Sequence, residues 1–124
     1  MSDPIGAHLA RSADLVEGEA RVCDVRDGAR LWSYVVLRLN GSTIAYDNLC
    51  PHARFPLERM DGGVTLTREG ERMFIQCAAH GAAFDAATGA CVAGPGLGRG
   101  LRRVAVTIDD GDVRIAAADQ GETT

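Results

Sequence analysis

The sequence predicts an all-β domain, and three observations carry that prediction. Glycine is abundant, at 15 residues, while long helix-favouring patterns are scarce. The apolar runs are short, and the most prominent, Leu31–Leu39 (LWSYVVLRL), is rich in β-branched and aromatic residues. Turn signals punctuate the chain between such runs, with Asn40-Gly41, Asp61-Gly62-Gly63 and Asp110-Gly111 the clearest. At 124 residues and 13.1 kDa, with 46% hydrophobic and 24% charged residues, the composition suits one globular domain. Such a domain buries about two-thirds of the surface its unfolded chain exposes and can fold without disulfides.

Residues 1–14 read as a loose N-terminal lead, and the β pattern starts at Leu15. Ala20–Val25 is the first expected strand, ended by Arg26-Asp27-Gly28. Leu31–Leu39 is the second, and Asn40-Gly41 turns it into a hairpin with Thr43–Tyr46. Val64–Thr67 and Met73–Gln76 form a second hairpin about Arg68-Glu69-Gly70-Glu71. Ala83–Asp85 is a short strand stopped by Thr88-Gly89. A Gly-rich loop, Gly94–Gly100, precedes a last hairpin of Arg103–Ile108 and Val113–Ala116. The domain therefore spans 15–117, and 118–124 is a small, polar, loose tail.

The net charge of −4 argues against a nucleic-acid partner, for which clustered basic charge is the expected footprint, and is compatible with a basic protein partner. Met1–Ala13 contains neither an apolar segment nor paired arginines, and no run is long enough to span a bilayer. The expectation is a cytoplasmic protein with no membrane association. In that compartment cysteines lean towards metal binding or catalysis rather than disulfides.

The cysteines and histidines are arranged accordingly. The chain has four cysteines and three histidines, and two of each fall into Cys50-Pro51-His52 and Cys77-Ala78-Ala79-His80. Each motif directly follows an expected strand, in a loop that a rigid scaffold presents. Two thiolates and two imidazoles suit zinc, and they also suit iron–sulfur chemistry. A zinc finger usually draws its histidines from a short helix, and the turn-rich segment 84–89 is a poor candidate for one. One Cys and one His per loop suits a centre with two unlike ends, such as a [2Fe–2S] cluster held by two cysteines and two histidines.

In these motifs the chain resembles the Rieske [2Fe–2S] domain family, and within it the small soluble ferredoxins. Asn48-Leu49-Cys50-Pro51-His52 with Pro56-Leu57 is similar to the family's first cluster loop. Cys77-Ala78-Ala79-His80-Gly81 with Phe84-Asp85 and Thr88-Gly89 is similar to the second, and Gly94-Pro95 to a third, covering loop. The likeness runs from about Ala20 to Ile115. It implies a fold of small stacked antiparallel sheets with two cluster-binding loops. It also implies one [2Fe–2S] cluster, with Cys50 and Cys77 on the inner iron and His52 and His80 on the outer. The implied function is one-electron transfer from a reductase to an oxygenase or similar terminal enzyme, as a carrier rather than an enzyme acting alone. Two other roles stay open: the Rieske small subunit of a multisubunit oxidoreductase, nitrite reductase-like or oxygenase, and a structural or redox-sensing zinc module.

Departures from the family's high-potential members carry information. Those members join the two loops by a disulfide, and the matching positions here are Phe55 and Ala79. They also place Ser and Tyr hydroxyls near the cluster, where this chain has Ala82 and Phe84. Fewer donors towards the cluster lower its potential. The expectation is a value near the low end of the range of about −150 to +300 mV. Arg54, beside His52, replaces a common Gly, and the longer gap between the motifs is taken up by the Val64–Gln76 hairpin.

Other features read more plainly. Cys23 and Cys91 read as buried thiols, with a mutual disulfide as the alternative. The glycines of 94–100 lack the spacing and the strand–helix setting of a nucleotide loop. Arg99, Arg102 and Arg103 read as a solvated strand edge with a docking role as the alternative. Trp32 reads as core, and His8 as a poor ligand candidate.

Overall fold

A computed structural model describes residues 3–51, 55–78, 81–94 and 99–117. Eleven strands occur among them: β1 (His8–Arg11), β2 (Ala20–Asp27), β3 (Arg30–Leu39), β4 (Ser42–Asp47), β5 (Thr65–Glu69), β6 (Arg72–Gln76), β7 (Ala83–Asp85), β8 (Cys91–Ala93), β9 (Arg103–Val104), β10 (Val106–Asp109) and β11 (Asp112–Ile115). They form three antiparallel sheets, ordered β1-β11-β10, β2-β3-β4-β9 and β5-β6-β7-β8. A single 3-10 turn at Ser12–Asp14 joins β1 to the rest.

The β3–β4 hairpin turns where expected. Asn40 and Gly41 both take positive φ, 52° and 79°, the backbone that matches the twist of the flanking strands. The register then pairs Tyr34 with Asp47, Val36 with Ala45 and Leu39 with Ser42.

β3 explains the architecture. Tyr34, Val35, Val36 and Leu37 are all fully buried, which an alternating half-buried strand would not give. The two faces of β3 feed two cores. Val35, Leu37 and Leu39 join Ile44, Tyr46, Met73, Ile75 and Phe84. Tyr34 and Val36 join Ala45, Leu9, Leu15, Val104, Val113 and Ile115. The β2-β3-β4-β9 sheet is therefore the middle layer, with one small sheet against each face.

The strands differ from the sequence reading in three places. β1 lies within the segment read as a loose lead, because it pairs with β11 from the far end of the chain, a partnership no local pattern reveals. The expected strand Arg103–Ile108 is two strands in two sheets: β9 pairs with β4, and β10 pairs with β11. β8 has only three residues and was not foreseen. Trp32 is half-buried against the second core, with the Arg30 guanidinium 4.6 Å from its ring centroid, while Leu31 is exposed.

The N-terminal segment is tied down chemically as well. The Asp3 carboxylate accepts the Tyr34 hydroxyl at 2.8 Å and both Arg102 nitrogens at 2.8 and 2.9 Å. Arg102 is thus drawn into ion pairs with Asp3 and Asp47, and Arg103 donates to Ala87 O at 3.2 Å. Arg99, Arg102 and Arg103 are all exposed, and the last two each also make a local contact.

Candidate metal centre

Both cysteine motifs begin where a hairpin ends. β4 runs through Asn48 and Leu49 to Cys50, and β6 runs directly to Cys77. The chain rises into each loop from a sheet facing the first core, and both thiols end in that core. Cys50 is 0% exposed and Cys77 2%, and they share an apolar cluster with Leu57, Ala82, Phe84 and Cys91.

The first loop is closed by its own backbone and by Asn48. The Cys50 N–H donates to Phe55 O at 2.7 Å. Asn48 is a buried polar residue, and its contacts use both ends of its amide. Its Oδ1 accepts the Leu57 N–H at 2.8 Å, and its Nδ2 donates to Ser33 Oγ at 3.0 Å and to Glu58 Oε1. The residue just before the motif therefore bridges the residues just after it. Sequence reading placed Asn48 in the motif but gave it no role; the only signal available was an amide ahead of an apolar loop.

The second loop is closed in the same manner. The Cys77 N–H donates to Ala82 O at 2.8 Å, and Gly81, at φ +73°, donates its N–H back to Cys77 O at 3.0 Å. The loops are also tied to each other. The Ala78 N–H reaches Leu57 O at 3.4 Å. The segment after β8 leans on the second loop: Gly94 has φ +85°, and a Cβ there would lie 3.0 Å from Ala82 Cα. Arg99 Nη1 donates to Pro51 O at 3.4 Å, joining this third segment to the first loop.

His52, Arg54, Ala79, His80 and Pro95, which the sequence also singled out, lie outside the described residues. Phe55 is half-exposed, and Ala82 and Phe84 are fully buried in the cluster that holds the two thiols. No disulfide joins any of the four cysteines. Cys23 and Cys91 sit in different cores, on opposite faces of the middle sheet, so the alternative of a disulfide between them does not arise. Burial pushes the Cys23 thiol up from its ordinary pKa, and the Cys91 S–H donates to Ala93 O at 3.5 Å. His8 pairs with Asp112 at 3.0 Å on the sheet remote from the motifs.

This setting fits a metal–sulfur group. Two soft sulfur donors lie in the same apolar core cluster, each at the start of a loop whose described ends are joined by a backbone hydrogen bond. Beside the first loop opens a shallow hollow of about 270 Å³, lined by Phe55, Pro56, Met60 and Ala78 with Glu58 and Arg59 at its edge. Met60 is wholly exposed there.

The Rieske [2Fe-2S] domain model matches residues 7–114. Among solved structures, the ferredoxin of carbazole 1,9a-dioxygenase from Nocardioides aromaticivorans IC177 is 28% identical, with 90% of this chain and 97% of that one covered and a TM-score of 0.68. The Sphingomonas yanoikuyae B1 ferredoxin is 31% identical over 90% of this chain and 97% of that one, with a TM-score of 0.66. A structure described as an NADH-dependent nitrite reductase small subunit from Mycobacterium tuberculosis shares the fold, at 16% identity, 96% and 100% coverage and a TM-score of 0.67. No curated protein matches the chain.

Proposed function

The chain belongs to the Rieske [2Fe–2S] domain family, and on that premise we propose that it is a ferredoxin that relays single electrons from a reductase to an oxygenase-type terminal enzyme in the cytoplasm. The observation that carries this reading is the likeness to two ferredoxins over 97% of the length of each, at 28% and 31% identity. Cys50 and Cys77 would hold one iron, and His52 and His80 the other. The bound cluster would supply a one-electron couple whose neutral imidazole ligands make it easier to reduce than an all-thiolate cluster.

The chain's own residues supply the rest. The core around Cys50 and Cys77 keeps water from the sulfur end. Asn48 and the two backbone closures fix the chain on either side of the cysteines. Ala82 and Phe84 offer no side-chain donor, which favours a low potential. The hollow at Phe55 and Met60 gives a partner an apolar surface to cover next to the first loop. No described helix is long and apolar enough to cross a membrane.

EPR of the dithionite-reduced protein tests the proposal. A rhombic signal with average g below two, accompanied by iron and acid-labile sulfide, is the expected result. Zinc without sulfide would move the protein to the structural-metal reading. Stable co-purification with a large catalytic subunit would make it a fixed subunit rather than a mobile carrier.

A further inference from the structure

Arg99 is held at its backbone and reaches across the site with its side chain. Its carbonyl accepts the Cys91 N–H at 3.1 Å, and the next residue, Gly100, bridges to Ala90. Gly100 is packed so closely that a Cβ would lie 3.0 Å from Gly89 O. The base of the side chain is therefore pinned to the β8 edge. Its guanidinium Nη1 meets Pro51 O, the carbonyl of the peptide between Pro51 and His52.

The contact is long, at 3.4 Å, and as a hydrogen bond to an exposed group it adds little to stability. The charge matters more. Arg11, Arg59, Arg72, Arg102 and Arg114 all pair with carboxylates. Among the described residues Arg99 forms no ion pair with a carboxylate. Its full positive charge thus stands one peptide away from a proposed ligand, in a chain whose net charge is −4.

We propose that Arg99 is a redox-tuning residue, which raises the reduction potential of the centre by placing an exposed cation against the Pro51 carbonyl, next to a proposed ligand in the sequence. The proposal rests on the cluster reading above. Uptake of one electron, from a reductase or an electrode, adds one negative charge and makes or breaks no bond. A nearby cation favours the more negative state. Arg99 would offset part of what the missing donors at Ala82 and Phe84 take away. Because the side chain is exposed, salt should screen it.

The test is protein-film voltammetry on the cluster-loaded wild type, Arg99→Gln and Arg99→Lys at low and high ionic strength, with EPR on each. Arg99→Gln should shift the potential downwards, Arg99→Lys should stay near wild type, and the gap between Gln and wild type should narrow at high salt. Arg99→Met, a second neutral variant, replaces Gln if that protein fails to load. A neutral variant at the wild-type potential overturns the proposal. So does an equal drop in the Gln and Lys variants that salt does not change, which would make Arg99 a mechanical latch between loops. A wild-type protein without the rhombic EPR signal overturns the cluster reading itself, and so is distinguishable from failure at Arg99.

Discussion

Asn48 carries more of the site than its single letter suggests. Its side chain spans the first loop from Ser33 to Leu57, and Leu57 is fully buried. Asn48→Ala leaves the Leu57 N–H without its acceptor, and we expect a loss of about 1–3 kcal/mol in urea unfolding, with fewer irons bound per chain. Asn48→Asp keeps an acceptor for Leu57 but sets a second carboxylate against Glu58, so it should not rescue the loss. Phe84 lies in the cluster that holds Cys50 and Cys77. The wild-type potential should lie below zero, and Phe84→Tyr, by adding a donor there, should move it upwards in voltammetry; an unchanged value would show that the hydroxyl finds no sulfur. At this scale the sequence was eloquent about atoms that bind and silent about atoms that support. Cys and His announce themselves by chemistry and spacing. Asn48 acts through partners fifteen residues before it and nine and ten residues after it, and such a bridge exists only once the strands have paired.

Among the elements, the turn at Thr88-Gly89 shows how little room the fold leaves behind the site. Gly89 has φ +83°, and a Cβ would stand 2.8 Å from the Tyr46 ring and 3.2 Å from Leu101 O. Tyr46 is itself fixed, with its hydroxyl donating to Ala86 O at 2.8 Å. Gly89→Ala combines backbone strain of about 1–3 kcal/mol with a further clash. Gly70→Ala is the control, since its φ of +63° carries strain but its Cβ would meet open space. Urea titrations should rank Gly89→Ala clearly below Gly70→Ala; equal losses would mean that Tyr46 simply moves aside. Hairpins joined by Asn-Gly or Gly-Glu turns were legible because their geometry is local. β1, β8 and the division of Arg103–Ile108 were not, because each depends on which sheet the segment meets. The chain passes from one sheet to another at Ala105, whose carbonyl accepts the Ala116 N–H at 2.9 Å, and nothing about that residue by itself signals the change.

For the molecule as a whole, acid should loosen both ends of the fold. The Arg102 guanidinium holds the Asp3 carboxyl below the usual range, and Arg72 does the same for Asp85, helped by the Ala87 and Thr88 N–H groups. A carboxyl with a lowered folded pKa contributes stability that is full above its unfolded value, about 3.9, and lost as pH falls through the folded one. Stability should therefore hold at neutral pH and decline below about pH 4. In Asp3→Asn that acid limb should be shallower; an identical limb would mean the N-terminal anchor adds no linkage. The layered plan was legible as a class, all-β with many short strands. What the sequence could not show was that β3 serves two cores at once, because a run of apolar residues looks the same whether one face or both are covered. The same construction couples the site to the fold. Cys50 and Cys77 follow strands of two different sheets yet end in one core. Whatever parts those two sheets uncovers both sulfurs together, so reaction of the thiols reports opening of the middle of the molecule rather than fraying at its edges.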